Sequence, residues 1–386
     1  MTSPIDVRRS GRIRVLQLAD LVNRHDFIDV IVEHADRERF DIRVATFGIP
    51  SNIADPCFAA RGVEAVDLGA HRGRRTYPGA LRRLVEYVRR EQVDVVHTHH
   101  FDPAVLGWLV SRLSSTKLVV GRHYSDAIYL STSGAKRWAH LFLERRTHRS
   151  AAAVIVPSRM IAELATATGA EVSHMHVVPY AFMAPKFAEL ASADALDQRE
   201  RLGLPGSAFI VGTFARLYRD KGHRYLLDAM RELISELPDL LWLVVGDGAE
   251  RVPLEQAVDR AGLRQHVRFT GWRSDAVALM AHVDIVVQPT LQEAFSSVMG
   301  EAMWLRRPLV ITDVSGATDI VVDGKNGLIV CKRDPLALAD AIRRLFADAT
   351  LRRTLGENGH AYVTTELIPE RVVPRYEQIY EAVAGS

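Results

Sequence analysis

The chain has 386 residues, room for two domains of ordinary size and at most three, each able to bury a full core without disulfides or a structural metal. Its 48% hydrophobic and 25% charged residues exclude a disordered, collagenous or coiled-coil chain, and a net charge of +2 excludes nucleic-acid recognition by bulk electrostatics. The two cysteines, Cys57 and Cys331, form no CxxC pair, the first twenty residues contain no apolar leader, and no stretch reaches 18 uninterrupted apolar residues, so a cytoplasmic protein without a disulfide framework or membrane span is expected.

Short runs of Val, Ile and Leu alternate with longer amphipathic stretches almost from end to end, the pattern of parallel strands covered by helices, which predicts an α/β fold. In chain order, strands are predicted at 13–18, 41–47, 63–68, 93–99, 117–123, 151–158 and 174–180, and a second series at 209–216, 240–248, 266–272, 283–290, 308–314 and 326–331. Between the two series, residues 182–205 carry mixed charge and no strand run and are bounded by Pro185 and the Pro205-Gly206 pair. The expected organisation is therefore an N-terminal Rossmann-like domain over 1–185 and a C-terminal one over 186–368, both doubly wound, with the site in the cleft where they face each other. A last helix over 369–386, with Val372, Tyr376, Ile379, Tyr380 and Val383 on related faces, is expected to pack back towards the N-terminal domain.

In open parallel sheets ligands sit beyond the carboxyl ends of the strands, so the polar residues that end each apolar run are the candidates for chemistry. After the strand at 209–216 come Arg216 and Lys221, two cations on a strand-to-helix loop that could bracket a diphosphate; a plain surface turn is the alternative. After the strand at 283–290, Glu293 and Glu301 lie eight apart, the first in a loop and the second inside a helix that Ser296 or Ser297 is expected to cap. Free amides at that helix start favour a phosphate, and a nucleotide sugar would give both acids a hydroxyl to accept from; two surface glutamates are the alternative. Glycines at 246, 248, 316, 324 and 327 also follow strands, where either a ligand or another part of the chain could approach closely. In the first half, one strand ends in His97, His99 and His100 and the next in Arg122, His123 and Tyr124. A metal site of HxHxDH type needs Asp at position 101, where Phe101 stands and Asp102 is one place late, so hydrogen-bonding histidines are favoured.

Taken together and in this order, GTFARLYRDKG, VVGDGAER, VRFTGW, EAFSSVMGEAM and SGATDIVVDGKNGLIV resemble the C-terminal half of the retaining glycosyltransferases of the GT-B fold, glycosyltransferase family 4, over nearly all of residues 205–386. The resemblance implies that Arg216 and Lys221 bind the donor diphosphate, that Glu293 lies near the donor sugar and Glu301 on the ribose, that the chain at Gly271, Trp272 and Arg273 borders the base, and that the amides of Phe295, Ser296 and Ser297 face the donor. In the N-terminal half the likeness is thinner: VDVVHTHH matches a strand ending in histidines, and His123 matches a histidine placed beside the transferred sugar. The family's glycine pair after the first strand is missing, and Asn23, Arg24, His25 and Asp26 occupy that neighbourhood.

The implied activity is transfer of a sugar, with retention of configuration, from a UDP- or GDP-sugar to an acceptor hydroxyl in glycan, glycolipid or cell-envelope synthesis. A nucleotide-sugar epimerase or hydrolase, or a non-catalytic nucleotide-sugar sensor, are the alternatives on the same fold. No cofactor and no metal are expected, because no DxD pair occurs and two cations stand where a metal would bridge the diphosphate. Residues 72–149 carry 15 basic against six acidic side chains, which predicts an anionic or lipid-linked acceptor, or contact with the inner face of a membrane, centred on Arg82, Arg83, Arg89 and Arg90.

Overall fold

The computed structural model describes residues 11–20, 26–46, 58, 62–63, 65–69, 74–124, 133–183, 205–314 and 316–386. The chain divides into two compact units, one made of Met1–Pro157, Ile161–Ala181 and Pro369–Ser386, the other of Ser158–Met160 and Phe182–Ile368. The stretch 184–204 lies outside the described residues.

The N-terminal unit is built on strands β1 (Ile13–Ala19), β2 (Phe40–Thr46), β3 (Ala65–Asp67), β4 (Val95–His99), β5 (Lys117–Gly121), β6 (Ala153–Val156) and β7 (Met175–Val177). They form one parallel sheet in the order β3-β2-β1-β4-β5-β6-β7. Its helices are α1 (Asp26–His34), α2 (Tyr77–Arg90), α3 (Phe101–Leu113), α4 (Gly134–Ser150) and α5 (Arg159–Ala167). Helices cover both faces of such a sheet, so its central strands read as unbroken apolar runs. The covering helices show their buried side as a stripe, as in α2, where Ala80, Leu84, Tyr87 and Val88 are buried and Pro78 opens the first turn.

The C-terminal unit repeats the plan with β8 (Phe209–Phe214), β9 (Leu240–Val245), β10 (Val267–Gly271), β11 (Ile285–Gln288), β12 (Leu309–Thr312) and β13 (Leu328–Val330), parallel in the order β10-β9-β8-β11-β12-β13. Helices α6 (His223–Leu233), α7 (Arg251–Arg260), α8 (Ala276–Met280), α9 (Ser297–Trp304), α10 (Ala317–Ile320), α11 (Pro335–Ala347) and α12 (Ala349–Glu366) surround it. Trp242 of β9 is fully buried at the centre of its core, with its indole N–H donated to Thr213 Oγ1 at 2.9 Å. A last helix, α13 (Pro369–Ala384), belongs to the N-terminal unit, where it packs on α1, β1 and β4 and buries Val372, Tyr376, Ile379, Tyr380 and Val383.

Thirteen strands are expected from the sequence and all thirteen form, but most are shorter at their carboxyl ends than the apolar runs suggest. The run at 240–248 stops at Val245 because Gly246 turns the chain at φ +141. The run at 174–180 keeps only Met175–Val177, its first residue closing a 3-10 turn over Val172–His174.

Candidate active site

The strand order of each sheet reverses once, and the carboxyl ends of the two strands at the reversal are where a doubly wound sheet binds its ligand. In the C-terminal sheet these strands are β8 and β11, and both outgoing loops are charged. The first passes Arg216 and a 3-10 turn, Arg219–Lys221, before α6 begins. Gly222 sits between them at φ +67, and a Cβ there would lie 1.9 Å from the carbonyl oxygen of Pro289. Only glycine lets the two loops close up in this way. Their approach places Lys221 Nζ 2.5 Å from Glu293 Oε2 and 3.8 Å from Asp220 Oδ2. Arg216, by contrast, is exposed, its guanidinium 5.3 Å from the centre of the Tyr218 ring.

Glu293 also lines a small pocket with Gln288, Thr290 and Ser296, its other walls being the apolar Met299, Ile311, Val314 and Ala317. Ser296 occupies the N-cap position of α9, as expected for one of the two serines, but it does not cap. Its hydroxyl instead accepts from Nε2 of Gln288 at 3.0 Å, because that buried amide at the end of β11 needs an acceptor. The first-turn amides of α9 therefore border the pocket with no side-chain cap over them, and carry the positive end of the helix dipole. Glu301 lies half-buried one turn into α9, and Phe295 is buried with its ring 6.4 Å from that of Phe182. At the end of β10, Trp272 is 75% exposed while Arg273 is held by Asp275 through contacts of 2.7 and 2.6 Å. Gly246 and Gly316 serve the chain itself, since a Cβ would meet Ala215 O at 1.9 Å and Ala294 O at 2.5 Å respectively.

In the N-terminal sheet the reversal lies between β1 and β4. Register pairs Gln17 with His97, and His99 with Gly121, so Gln17, His97 and His99 project on one face. A Cβ on Gly121 would come within 2.6 Å of His123 Nε2, so the missing side chain makes room for that ring. His99 Nδ1 is 3.0 Å from His123 Nε2, and His123 Nδ1 is 2.9 Å from the Tyr180 hydroxyl. Phe27 of α1 stacks on the His123 ring at 4.1 Å with 15° between planes. Burial drives the pKa of His97 down to about 3 and that of His100 down to about 4, so both are neutral. Among the described residues no group of three or more His, Cys, Asp or Glu is placed to hold a metal ion.

Two family models match this chain. Residues 27–181 match the model described as a glycosyl transferase 4-like domain, and residues 208–348 match glycosyl transferases group 1. The α-D-kanosaminyltransferase of Streptomyces kanamyceticus is 31% identical over 288 residues, 70% of this chain and 72% of that protein. The chain belongs to the GT-B glycosyltransferases of family 4 type. A D-inositol 3-phosphate glycosyltransferase of Corynebacterium urealyticum is 29% identical over 278 residues, 68% of this chain and 66% of that protein. The crystal structure of HepE from Anabaena in complex with UDP shares the fold, with a TM-score of 0.79 and 22% identity over 97% of this chain and all of that one.

In this glycosyltransferase, sequence reasoning missed Gln17, Phe27, Tyr180, Gln288, Thr290 and Tyr380, all of which lie at the strand ends or touch the residues that do. Gln17 carried a signal: it is the one amide inside the apolar run of β1, and a polar side chain there must find partners. Of the loop that replaces the family's glycine pair, Asn23, Arg24 and His25 lie outside the described residues, as do Arg72 and Cys57, and Asp26 is described only as the start of α1. No helix among the described residues is long and apolar enough to cross a membrane.

Proposed function

We propose that this glycosyltransferase takes its sugar from a nucleoside diphosphate sugar, with uridine as the base, and passes it to an acceptor hydroxyl with retention of anomeric configuration. The observation that carries this reading is the meeting of Lys221 and Glu293 at the sheet reversal, beside the uncapped start of α9 and a small pocket that Glu293 itself lines. A diphosphate at that point would take up the remaining donors of Lys221, the amides of α9 and the fork of Arg216, all of which gain strength as negative charge grows on the leaving group. Uridine is favoured over guanosine because the similar fold of HepE is crystallised with UDP.

The resemblance to the retaining glycosyltransferases is what favours transfer on one face of the sugar, with no covalent intermediate on a side chain. The bond from the anomeric carbon to the diphosphate oxygen breaks with its electron pair staying on the phosphate. The acceptor oxygen bonds to the same face, and its proton passes to the departing phosphate. Glu293 then accepts from sugar hydroxyls and Glu301 from the ribose, Gly271 and Trp272 border the base, and His123 serves the transferred sugar. Cofactor and metal have no part in this scheme. Turnover is expected to persist in excess chelator, and a loss restored only by a divalent cation would refute the two-cation assignment. The acceptor is proposed to be anionic or lipid-linked and to be met at a membrane surface.

The deciding experiment incubates the protein with UDP- and GDP-sugars, follows the rise in Tm that binding produces, and reads the anomeric configuration of the product by NMR. Stabilisation by UDP-sugars and a product with the donor's configuration are expected. Release of free sugar or an epimer without acceptor would instead establish a hydrolase or epimerase.

A further inference from the structure

Six side chains in the N-terminal unit form one unbroken line of hydrogen bonds that runs from His97 to Tyr180 and passes through His123. The Tyr380 hydroxyl of α13 lies 2.8 Å from His97 Nδ1 and accepts from Gln17 Nε2 at 3.1 Å. Gln17 Oε1 lies 2.8 Å from His99 Nε2, and His99 Nδ1 lies 3.0 Å from His123 Nε2. The Tyr180 hydroxyl closes the line on His123 Nδ1 at 2.9 Å. Gln17, His97, His99 and Tyr380 are wholly buried, so water cannot substitute for any of these partners.

The line has a direction. An amide oxygen can only accept, so His99 carries a proton on Nε2, and in its neutral form its Nδ1 is a lone pair. His123 must then donate from Nε2, which leaves Nδ1 to accept from Tyr180. Turning the Gln17 amide over would reverse every one of these assignments, and the group that meets the amide at its other end is the Tyr380 hydroxyl, which accepts from Gln17 Nε2 and so has its own proton left for His97 Nδ1. The pKa of His97, driven low by burial, keeps that imidazole neutral, with Nδ1 facing the Tyr380 hydroxyl and Nε2 buried with no hydrogen-bond partner among the described residues.

We propose that Tyr380 is a positioning residue for His123: acting through Gln17 and His99, it fixes the His123 proton on Nε2. The idea rests on the reading of His123 as the residue beside the transferred sugar only in its consequence for turnover, not in its consequence for the proton. It gives the C-terminal helix, far along the chain from any donor-binding motif, a task in the chemistry of the N-terminal unit.

The test compares Tyr380→Phe with Tyr376→Phe in the full-length protein carrying 15N-labelled histidine. Tyr376 lies one turn earlier on the same helix, and its buried hydroxyl has no hydrogen-bond partner among the described residues, so it controls for loss of a buried tyrosine hydroxyl. Wild type and Tyr376→Phe should show His123 in the Nε2–H form. Tyr380→Phe should show both ring nitrogens averaged between the two forms. It should also lower kcat by about five- to ten-fold, the worth of one net hydrogen bond, with KM little changed. If Tyr380→Phe does not fold, Gln17→Met removes the same relay from the other side and should give the same spectrum. An unshifted His123 spectrum in whichever of these variants folds overturns the proposal. A shifted spectrum with unchanged kcat upholds the relay and refutes the placing of His123 beside the sugar.

Discussion

Lys221 and Arg216 are six positions of chain from end to end and yet differ in how the fold holds them. Lys221 is 11% exposed and wedged against Glu293 by the glycine turn behind it, whereas Arg216 lies at the surface over the Tyr218 ring. Deleting the half-buried Lys221 takes an ion-pair partner from Glu293, so the two deletions should not look alike. Both Arg216→Ala and Lys221→Ala are expected to lower kcat/KM by about 100-fold or more, the scale of losing one donor to a transition-state anion, about 3 kcal/mol. Lys221→Ala should in addition lower Tm, and Glu293→Gln in the Lys221→Ala background should restore part of that Tm without restoring turnover. Recovery of turnover in the double variant would show that Lys221 serves Glu293 and not a diphosphate. Unchanged kcat/KM in both single variants would remove the diphosphate from this loop altogether.

At the level of helices, the cations that the sequence marks as an anion-facing surface separate into two sets. On α2, Arg82 pairs with Glu86 at 2.8 Å, Arg83 donates to Leu68 O, Arg89 donates to Leu113 O at 2.5 Å, and Arg90 pairs with Glu91 at 2.8 Å. The expectation that these four form the anion-facing surface is thus weakened by their internal partners. On α4, Lys136, Arg137, Arg145, Arg146 and Arg149 are exposed, and the helix's one acid, Glu144, is buried against Arg122 at 3.0 Å. The same helix exposes Trp138 (68%) and Phe142 (42%), stacked at 5.4 Å with the Arg146 guanidinium over the Phe142 ring. Aromatic rings rimmed by cations suit the boundary of an anionic bilayer. Binding to anionic vesicles is therefore expected at low salt and should fade as the Debye length shrinks from about 10 Å at 0.1 M to about 3 Å at 1 M. Reversing Lys136 and Arg137 together should weaken it more than reversing the four arginines of α2; no vesicle binding at low salt would refute the membrane version. What was legible here follows from physics. Strands buried on both faces must be apolar, so all thirteen announce themselves in the sequence, and α13 shows its stripe. Which arginine is free and which is paired depends on residues such as Leu68 and Leu113 that are brought near only by the sheet, and no local pattern carries that. The same holds for Tyr380, which reads as one more apolar position of α13 until β1 and β4 place Gln17 and His97 against it.

Across the whole molecule, buried neutral histidines are shared unequally between the two units. In the N-terminal unit burial lowers the pKa of His97 to about 3 and those of His100 and His148 to about 4, whereas in the C-terminal unit it lowers that of His223 to about 4. An unfolded histidine takes up its proton near pH 6.5. Between about pH 6.5 and pH 4 the unfolded chain consequently binds more protons than the folded one, and stability falls as pH is lowered, by at most about 1.4 kcal/mol per pH unit for each such histidine. Above pH 7 both states are neutral at these sites and the effect vanishes. With these three groups, and His176 also lowered by burial, against His223, acid should open the N-terminal unit more steeply than the C-terminal unit over pH 7 to 5, a range that stops short of most carboxylates. A chain of two units need not unfold in a single transition, so the measurement has to resolve them. Hydrogen exchange followed peptide by peptide, corrected for the intrinsic pH dependence of exchange, does so: protection in β1, β4 and β5 should fall faster with acid than protection in β8, β9 and β11. Replacing His148 by Gln, which removes one ionisable ring near Thr168 (3.1 Å), should reduce the acid slope of the N-terminal unit by about a third and leave the other unit unchanged. Parallel loss in the two units, or an acid slope indifferent to that substitution, would mean that carboxylates and not buried imidazoles set the acid limit of this protein.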